Sequence, residues 1–277
     1  MPRPASPLFT VMRRAAEAAS RQLLRDFGDV AHLQVARKGP ADFVSQADQR
    51  SEEIIKNALL QADPDSGFLA EESGKQGNQD SRWIIDPLDG TTNFLHGLPH
   101  WAISIALEQA GKLVAGLVYD PIKDEAFWAE AGQGAWLGSR RLHVSRRETL
   151  GTSLLATGLP FMGHGDPVKV AQQVARITAE TAGVRRFGAA ALDLAYVAAG
   201  RFDAFWEAGL SAWDTAAGVL LVREASGAVL NLEQEQDYSL HEKDETLLSG
   251  NPLLLPLVAD RLRGLAVEFH EVVHVDP

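Results

Sequence analysis

The chain of 277 residues contains no cysteine, which excludes disulfides, thiolate zinc sites and cysteine nucleophiles. It also lacks any run of about 18 apolar residues, so no transmembrane helix is predicted. Its formal net charge is −11, whereas nucleic-acid-binding proteins usually present a basic face. The first residues lead into an amphipathic segment rather than the apolar core of a signal peptide. We therefore expect a cytoplasmic protein that binds neither nucleic acid nor membrane.

The hydrophobic content of 45% is enough for a substantial core. Apolar residues at helical spacing predict amphipathic helices at 9–27 and 47–61, and alternating apolar residues predict a β-meander at 101–137. Further along, we predict strands at 153–157 and 203–206 and helices at 166–182, 189–199, 214–225 and 252–264. Because helices and strands interleave without a repeat or a linker, we predict one compact unit of sheets covered by helices.

Residues 83–94 read Trp-Ile-Ile-Asp-Pro-Leu-Asp-Gly-Thr-Thr-Asn-Phe. A strand is predicted to end at Asp86, and Asp89 follows after one constrained turn. Two carboxylates delivered by one turn suit a hard cation such as Mg²⁺, which prefers oxygen ligands. Gly90 and Thr91 then open a candidate helix, whose first amides suit an anion. The segment therefore predicts metal-assisted phosphate chemistry.

Four further acids lie in contexts that have ordinary structural explanations. Asp48 and Asp214 each stand at the start of a predicted helix, where an N-cap is the usual role of an aspartate. Glu71 and Glu72 follow an apolar triplet and precede Ser-Gly, as acids in a solvated turn do. The Asp-Pro-Leu-Asp-Gly turn has no such explanation, because it places two acids at the end of a buried strand.

Together, residues 83–94, the upstream 71–73 and the downstream Trp213-Asp214-Thr-Ala-Ala-Gly218 resemble the inositol monophosphatase family, in the order typical of that family. Residues 188–200 and 203–207 resemble its bacterial branch. The resemblance implies an α/β fold, a five-layer α-β-α-β-α sandwich, with a metal-binding half at about 1–145 and a substrate-pocket half at about 146–277. It also implies a homodimer and a Mg²⁺-dependent, lithium-sensitive activity.

The resemblance assigns the metal ligands. Glu71, Asp86 and the carbonyl of Leu88 would hold one Mg²⁺, and Asp86, Asp89 and Asp214 a second. Glu72 would hold a third, weaker ion through water. The catalytic residues are Glu71 together with Asp48 and Thr91: the Thr91 hydroxyl would orient a metal-activated water while Asp48 accepts its hydrogen bond. No covalent enzyme intermediate is expected.

The substrate-binding residues are implied in the same way. Asp89 and Asp214 would contact the substrate, and the amides of Gly90 and Thr91 would bind its phosphate oxygens. Glu207 would accept hydrogen bonds from ring hydroxyls. The segment Gly188, Ala189 and Ala190 would line the pocket beside Arg185. An exposed Arg185-Arg186 pair or an interface contact explains those arginines equally well. Lys38 would steer phosphate or position the third ion, and a solvated lysine is the alternative.

The predicted function is hydrolysis of a small phosphorylated polyol, myo-inositol 1-phosphate, by the metal-activated water. The same chemistry on histidinol phosphate, a nucleoside bisphosphate or fructose 1,6-bisphosphate is the alternative. A regulatory or assembly protein that keeps the fold is an alternative of another class.

Two details depart from simple expectation. Ser226-Gly227 stands where the family usually has Gly-Gly. His270-Glu271-Val-Val-His274 fits the zinc-peptidase pattern, which needs a helix in a cleft and a further ligand. Only three residues follow it, so we predict a tail rather than a zinc site.

Overall fold

The computed structural model describes residues 6–28, 35–37, 43–160, 166–241 and 245–263, with only the backbone described at 35–37 and 43–45. Lys38 and the His270–His274 motif lie outside the described residues. The helices are α1 (Pro7–Gly28), α2 (Gln46–Ala62), α3 (Thr91–Leu95), α4 (Pro167–Glu180), α5 (Ala190–Ala198), α6 (Ala212–Glu224) and α7 (Leu255–Arg263). No helix in these ranges combines the length and the apolarity of a bilayer span.

The strands fall in three groups. A small pair is formed by β1 (Val35–Arg37) and β2 (Phe43–Ser45). The strands of the large sheet are β3 (Gly67–Ala70), β4 (Gly74–Gln76), β5 (Ser81–Asp89), β6 (Ala102–Gln109), β7 (Lys112–Asp120), β8 (Glu125–Glu130), β9 (Ala135–Leu137) and β10 (Arg140–Arg141). Those of the second sheet are β11 (Leu154–Thr157), β12 (Gly183–Arg185), β13 (Ala204–Ala208), β14 (Ala228–Asn231) and β15 (Thr246–Gly250).

The large sheet has the order β10-β9-β8-β7-β6-β5-β3-β4, and the second has the order β12-β11-β13-β15-β14. Consecutive strands from β6 to β9 pair antiparallel, which confirms the predicted meander. Within the large sheet, β3 and β5 run parallel. In the second sheet, β11 runs parallel to both β12 and β13.

The protein has five layers of helices and sheets, and three apolar cores hold them together. One lies between the large sheet and the outer pair α1 and α2. The second surrounds α5 and α6, which fill the space between the two sheets, and α5 is buried on all sides. The third lies between the second sheet and the outer pair α4 and α7. This α-β-α-β-α order confirms the predicted sandwich.

The two helices of the central layer, α5 and α6, pack directly against each other. A Cβ on Gly218 of α6 would lie 2.5 Å from the Cβ of Leu194 on α5, so the small residue lets the two helices touch. The helices bring the starts of α5 and α6 to the same end of the large sheet where β5 ends. Asp86, Asp89 and Asp214 are found at this end.

Candidate active site

The Asp-Pro-Leu-Asp turn lies inside β5, which extends three residues beyond its predicted end at Asp86. The pairing with β6 is interrupted after Asp86 and resumes where Asp89 faces Ala102. Pro87 has no N–H to donate, and the N–H of Leu88 donates to Asp86 Oδ1 at 2.9 Å, so neither amide continues the ladder. Such a bulge redirects the side chains of its strand.

Gly90 ends the turn in a conformation that favours glycine. Its φ is +91°, and an added Cβ would lie 3.1 Å from the carbonyl O of His100 and 3.3 Å from the Cβ of Ala189. The short helix α3 begins at the next residue, Thr91. The Thr91 hydroxyl donates to the carbonyl O of Leu88 at 3.0 Å, whereas the resemblance implied Asp48 as its acceptor.

Glu71 reaches the turn through strand pairing. It follows β3 directly, and the parallel register sets Ala70 beside Ile85. The Glu71 N–H donates to the carbonyl O of Ile85 at 3.2 Å, so Glu71 lies next to Asp86. Two predicted ligands that are distant in the sequence are thereby neighbours.

Asp214 comes from the first turn of α6. The Ser211 N–H donates to its Oδ2 at 2.7 Å in a capping box. Its charge nonetheless acts on both Asp86 and Asp89. Asp214 therefore both caps the start of α6 and acts as one of the clustered acids.

The acids of this cluster act on one another electrostatically. Burial raises the pKa of Asp86 well above its usual value, and the charges of Glu71, Asp89 and Asp214 raise it further. Burial and then Asp214 raise the pKa of Asp89 to about 7, and burial raises that of Asp214 to about 6. Among the described residues, no lysine, arginine or histidine is a leading cause of these shifts. The cluster is thus a concentration of like charge that suits a divalent cation.

An all-oxygen donor set of carboxylates and a carbonyl fits Mg²⁺ rather than zinc or copper. In the part of the chain that the structure describes, no three His, Asp or Glu side chains already surround one point as ligands of an ion would. The predicted ligand set of Glu71, Glu72, Asp86, Leu88, Asp89 and Asp214 therefore stays a prediction.

Helix α2 turns a polar face towards this site. Asp48, Ser51 and Glu52 are all buried, at the i, i+3 and i+4 spacing that shares one helix face. The Ser51 hydroxyl donates to the carbonyl O of Pro87 at 2.9 Å, and the Glu52 carboxylate accepts from the Glu72 N–H at 2.8 Å. Sequence reasoning singled out only Asp48, although the spacing could have shown the other two.

The start of α5 holds Asp89 from the other side. The Ala190 N–H donates to its Oδ1 at 3.1 Å, and the Ala191 N–H donates to its Oδ2 at 2.9 Å. A carboxylate is favoured at a helix N-terminus. The predicted pocket residues Ala189 and Ala190 are therefore buried beside Asp89, and Gly188 precedes them with a φ of +77°.

Glu207 lies in β13, within electrostatic reach of the cluster. Burial raises its pKa to about 8, Asp214 and Asp89 raise it as well, and Arg186 lowers it. Arg185 is exposed, and its Nη1 donates to the carbonyl O of Val184 at 3.2 Å. Arg186 is the arginine whose charge acts on Glu207, and the place of Arg185 beside the substrate pocket stays a prediction.

Asp193 in α5 was missed by the sequence analysis. It is 1% exposed, and neither carboxyl oxygen has a hydrogen-bond partner among the described residues. Burial raises its pKa well above the usual value, followed by the charges of Glu207 and Asp89. Nothing in its local sequence distinguishes it from a solvated acid in the first turn of a helix.

Asn93 was quoted in the motif but given no role. Its side-chain Nδ2 donates to the carbonyl O of His100 at 2.8 Å and to that of Phe187 at 2.7 Å. It thereby connects the segment before β6 to the segment before α5. One amide fixes the carboxylate turn relative to the predicted substrate pocket.

A profile of the inositol monophosphatase family matches residues 5–264 of this chain. The chain belongs to the inositol monophosphatase family. This confirms the resemblance noted from the motifs, and the carboxylate turn of β5 is the segment on which that resemblance chiefly rested.

Individual members of the family resemble this chain closely. An inositol-1-monophosphatase from Mesorhizobium japonicum is 53% identical to it over 84% of this chain and 88% of its own. The crystal structure of extragenic suppressor protein suhB from Bartonella henselae covers 94% of this chain and 100% of its own, with a TM-score of 0.89 and 49% identity. A protein named Nus factor SuhB from Pseudomonas aeruginosa is 43% identical over 84% of this chain and 88% of its own.

Proposed function

We propose that this protein is a Mg²⁺-dependent phosphomonoesterase that hydrolyses myo-inositol 1-phosphate to myo-inositol and phosphate. The observation that carries the proposal is the cluster of Glu71, Asp86, Asp89 and Asp214, in which burial and then the charges of the other three acids raise the pKa of Asp86. Asp86 and Asp89 are buried, and burying ionised carboxylates within a cluster of acids is unfavourable unless cations offset their charge. The 53% identity to a relative named inositol-1-monophosphatase supports the same conclusion.

Glu71, Asp86 and the carbonyl of Leu88 would hold the first ion, Asp86, Asp89 and Asp214 the second, and Glu72 a third. When bound, paired Mg²⁺ ions supply neutralisation of the phosphoryl charge and activation of the attacking water. The protein supplies the fixed positions: the bulge of β5 aims Asp86 and Asp89, and the start of α5 holds Asp89 in place by donating two N–H groups to it.

Thr91 and Asp48 would position the attacking water. The Thr91 hydroxyl donates its only proton to an oxygen of the protein, the Leu88 carbonyl in this structure. Its lone pairs consequently remain to accept a hydrogen bond from water. In the proposed active arrangement, Asp48, buried in the first turn of α2, would replace the Leu88 carbonyl as the acceptor of the Thr91 hydrogen bond.

Specificity for a polyol would come from the second half of the chain. Glu207 would pair with a ring hydroxyl, and Gly188, Ala189 and Ala190 would line the pocket near Arg185. A buried polar group that is matched only by a substrate hydroxyl discriminates strongly against substrates that lack it. The amides of Gly90 and Thr91 would contact the phosphate, together with Asp89 and Asp214 through the ions.

A substrate panel tests this assignment. Phosphate release is measured with Mg²⁺ for myo-inositol 1-phosphate, histidinol phosphate, a nucleoside bisphosphate and fructose 1,6-bisphosphate. We expect inositol 1-phosphate to give the highest kcat/KM. A preference for histidinol phosphate of about tenfold or more, equivalent to about 1.4 kcal/mol, would overturn the inositol assignment and leave the phosphatase chemistry intact.

A second candidate function is regulation through protein contacts, because the Pseudomonas relative is named a Nus factor. Asp89→Asn separates the two functions: hydrolysis should collapse, whereas a scaffolding role would persist in the folded variant. We also propose a homodimer in the cytoplasm, and light scattering at a series of concentrations checks the dimer.

A further inference from the structure

Gly158 lies directly after β11, beside the strand that carries Glu207. The parallel register pairs Thr157 with Trp206, so Gly158 and Glu207 are the next residues along the two strands. A Cβ built on Gly158 would fall well inside van der Waals contact of the Glu207 Cδ, Oε1 and Oε2 atoms, and these are its three nearest atoms. The Glu207 carboxyl therefore rests on the bare Cα of Gly158.

The backbone at Gly158 does not itself require glycine. Its φ is not in the left-handed region, in contrast to Gly188 and Gly90, so an alanine is compatible with this conformation. The buried Thr157 hydroxyl lies 2.8 Å from the carbonyl O of Trp206 and 3.0 Å from that of Gly158, and its proton is shared between them. The two strands are thereby fixed at this point, and the missing side chain is the feature to be explained.

Glu207 is placed by shape rather than by hydrogen bonds. No hydrogen bond from a described residue contributes to the pKa of its carboxyl, and the charged groups that act on it are Asp214, Asp89 and Arg186. Two of these three repel it when ionised. The space above Gly158 is consequently what determines where the carboxyl lies.

We infer that Gly158 is a specificity-determining residue, because it sets the position from which Glu207 meets a substrate hydroxyl. The inference rests on the proposed function, in which Glu207 recognises a polyol. The three atoms nearest to a methyl group at residue 158 all belong to the end of one flexible side chain, that of Glu207. The fold should therefore tolerate the change while the carboxyl moves.

The test compares Gly158→Ala with Glu207→Gln and with the double variant. The readout is a selectivity ratio, kcat/KM for myo-inositol 1-phosphate divided by kcat/KM for p-nitrophenyl phosphate, which has no hydroxyl for Glu207. We expect each single variant to lower the ratio by about tenfold, the effect of losing one hydrogen bond, because alanine at residue 158 moves the carboxyl and glutamine at residue 207 replaces one of its oxygens by an NH₂ group. The double variant should lower it no further, since both changes act through one carboxyl.

Gly151→Ala is the matched control. Gly151 lies in the turn before β11, has nothing within 4 Å of an added Cβ, and lacks a left-handed φ. We expect its selectivity ratio to equal that of the wild type. A similar loss in Gly151→Ala would show that any glycine replacement in this region disturbs the protein, and the inference would be wrong.

The remaining outcomes separate the inference from the proposed function. If Glu207→Gln lowers the ratio and Gly158→Ala does not, the role of Gly158 is refuted while the polyol specificity stands. If neither variant changes the ratio, both fail. If the losses add in the double variant, Gly158 acts through another group and the inference is again wrong.

A stability measurement covers the case in which Gly158→Ala folds poorly. If the methyl group collides with the carboxyl, adding Glu207→Ala should restore the Tm, because the colliding atoms are then absent. A double variant that stays as unstable as Gly158→Ala would place the collision elsewhere and overturn the inference.

Discussion

Asp89→Asn should stabilise the metal-free protein at high pH while it abolishes hydrolysis. Asp89 is 8% exposed, and burial together with Asp214 raises its pKa from 3.8 to about 7. The folded state therefore binds a proton at Asp89 more tightly than the unfolded chain does. The free energy of unfolding of the metal-free protein consequently falls as the pH rises between about 4 and about 7.

The size of the effect follows from the two pKa values. One pKa unit corresponds to about 1.4 kcal/mol, so the ionised Asp89 destabilises the metal-free fold by about 4 kcal/mol at about pH 8. An asparagine removes this charge, but its NH₂ group faces one of the N–H donors of Ala190 and Ala191. That mismatch costs about 1–3 kcal/mol, which leaves a net stabilisation of about 1–3 kcal/mol.

Urea denaturation of EDTA-treated wild type and Asp89→Asn at about pH 8 and about pH 5 measures the difference. At the lower pH Asp89 is mostly protonated in the fold, so the advantage of asparagine should vanish or reverse. An equal change in stability at both pH values would refute the electrostatic reasoning. Hydrolysis with saturating Mg²⁺ should fall by about two orders of magnitude or more in the variant.

Three further predictions concern single residues. Ser226→Gly should raise the free energy of unfolding, measured by urea denaturation, by about 0.5–1 kcal/mol. Ser226 has a φ of +66° at the end of α6, where glycine is favoured. An unchanged free energy of unfolding would mean that the backbone at this end of the helix relaxes. Asp193→Asn should raise the Tm of EDTA-treated protein more at about pH 8 than at about pH 5. The pKa of Asp193 is raised in the folded state, so its ionisation destabilises the fold as the pH rises. A change in Tm that is the same at both pH values would contradict the raised pKa. Asn93→Ala should lower the free energy of unfolding by about 2–4 kcal/mol, because the carbonyls of His100 and Phe187 lose the donor that they share. A loss below about 1 kcal/mol would show that water replaces the amide.

Much of the fold could be predicted from local pattern. The helical periodicity of 9–27 and the alternation of 101–137 reflect burial of one face, and the structure confirms both as α1 and as the meander. The order of the strands could not be predicted in the same way. Strand β13 pairs parallel with β11 and antiparallel with β15. Both pairings depend on contacts between distant segments, which leave no periodic signal in the sequence.

The site was predictable where a motif delivers its residues together and less so elsewhere. Asp86 and Asp89 lie on one turn and could be recognised together. Asp193 and Gly158 are notable only because Glu207 of β13, which is distant in the sequence, lies near them in the fold. Ser226 shows the same limit for the backbone. Its departure from the usual Gly-Gly was visible in the sequence, but its left-handed φ was not.

The central claim is that cations held by the carboxylate cluster are required for hydrolysis. It is tested most directly by measuring phosphate release from myo-inositol 1-phosphate after EDTA treatment and then as a function of added Mg²⁺. We predict that the treated protein retains less than about one per cent of its activity and that Mg²⁺ restores it, as expected for an ion that supplies the attacking water. Full turnover in the presence of EDTA would contradict the account.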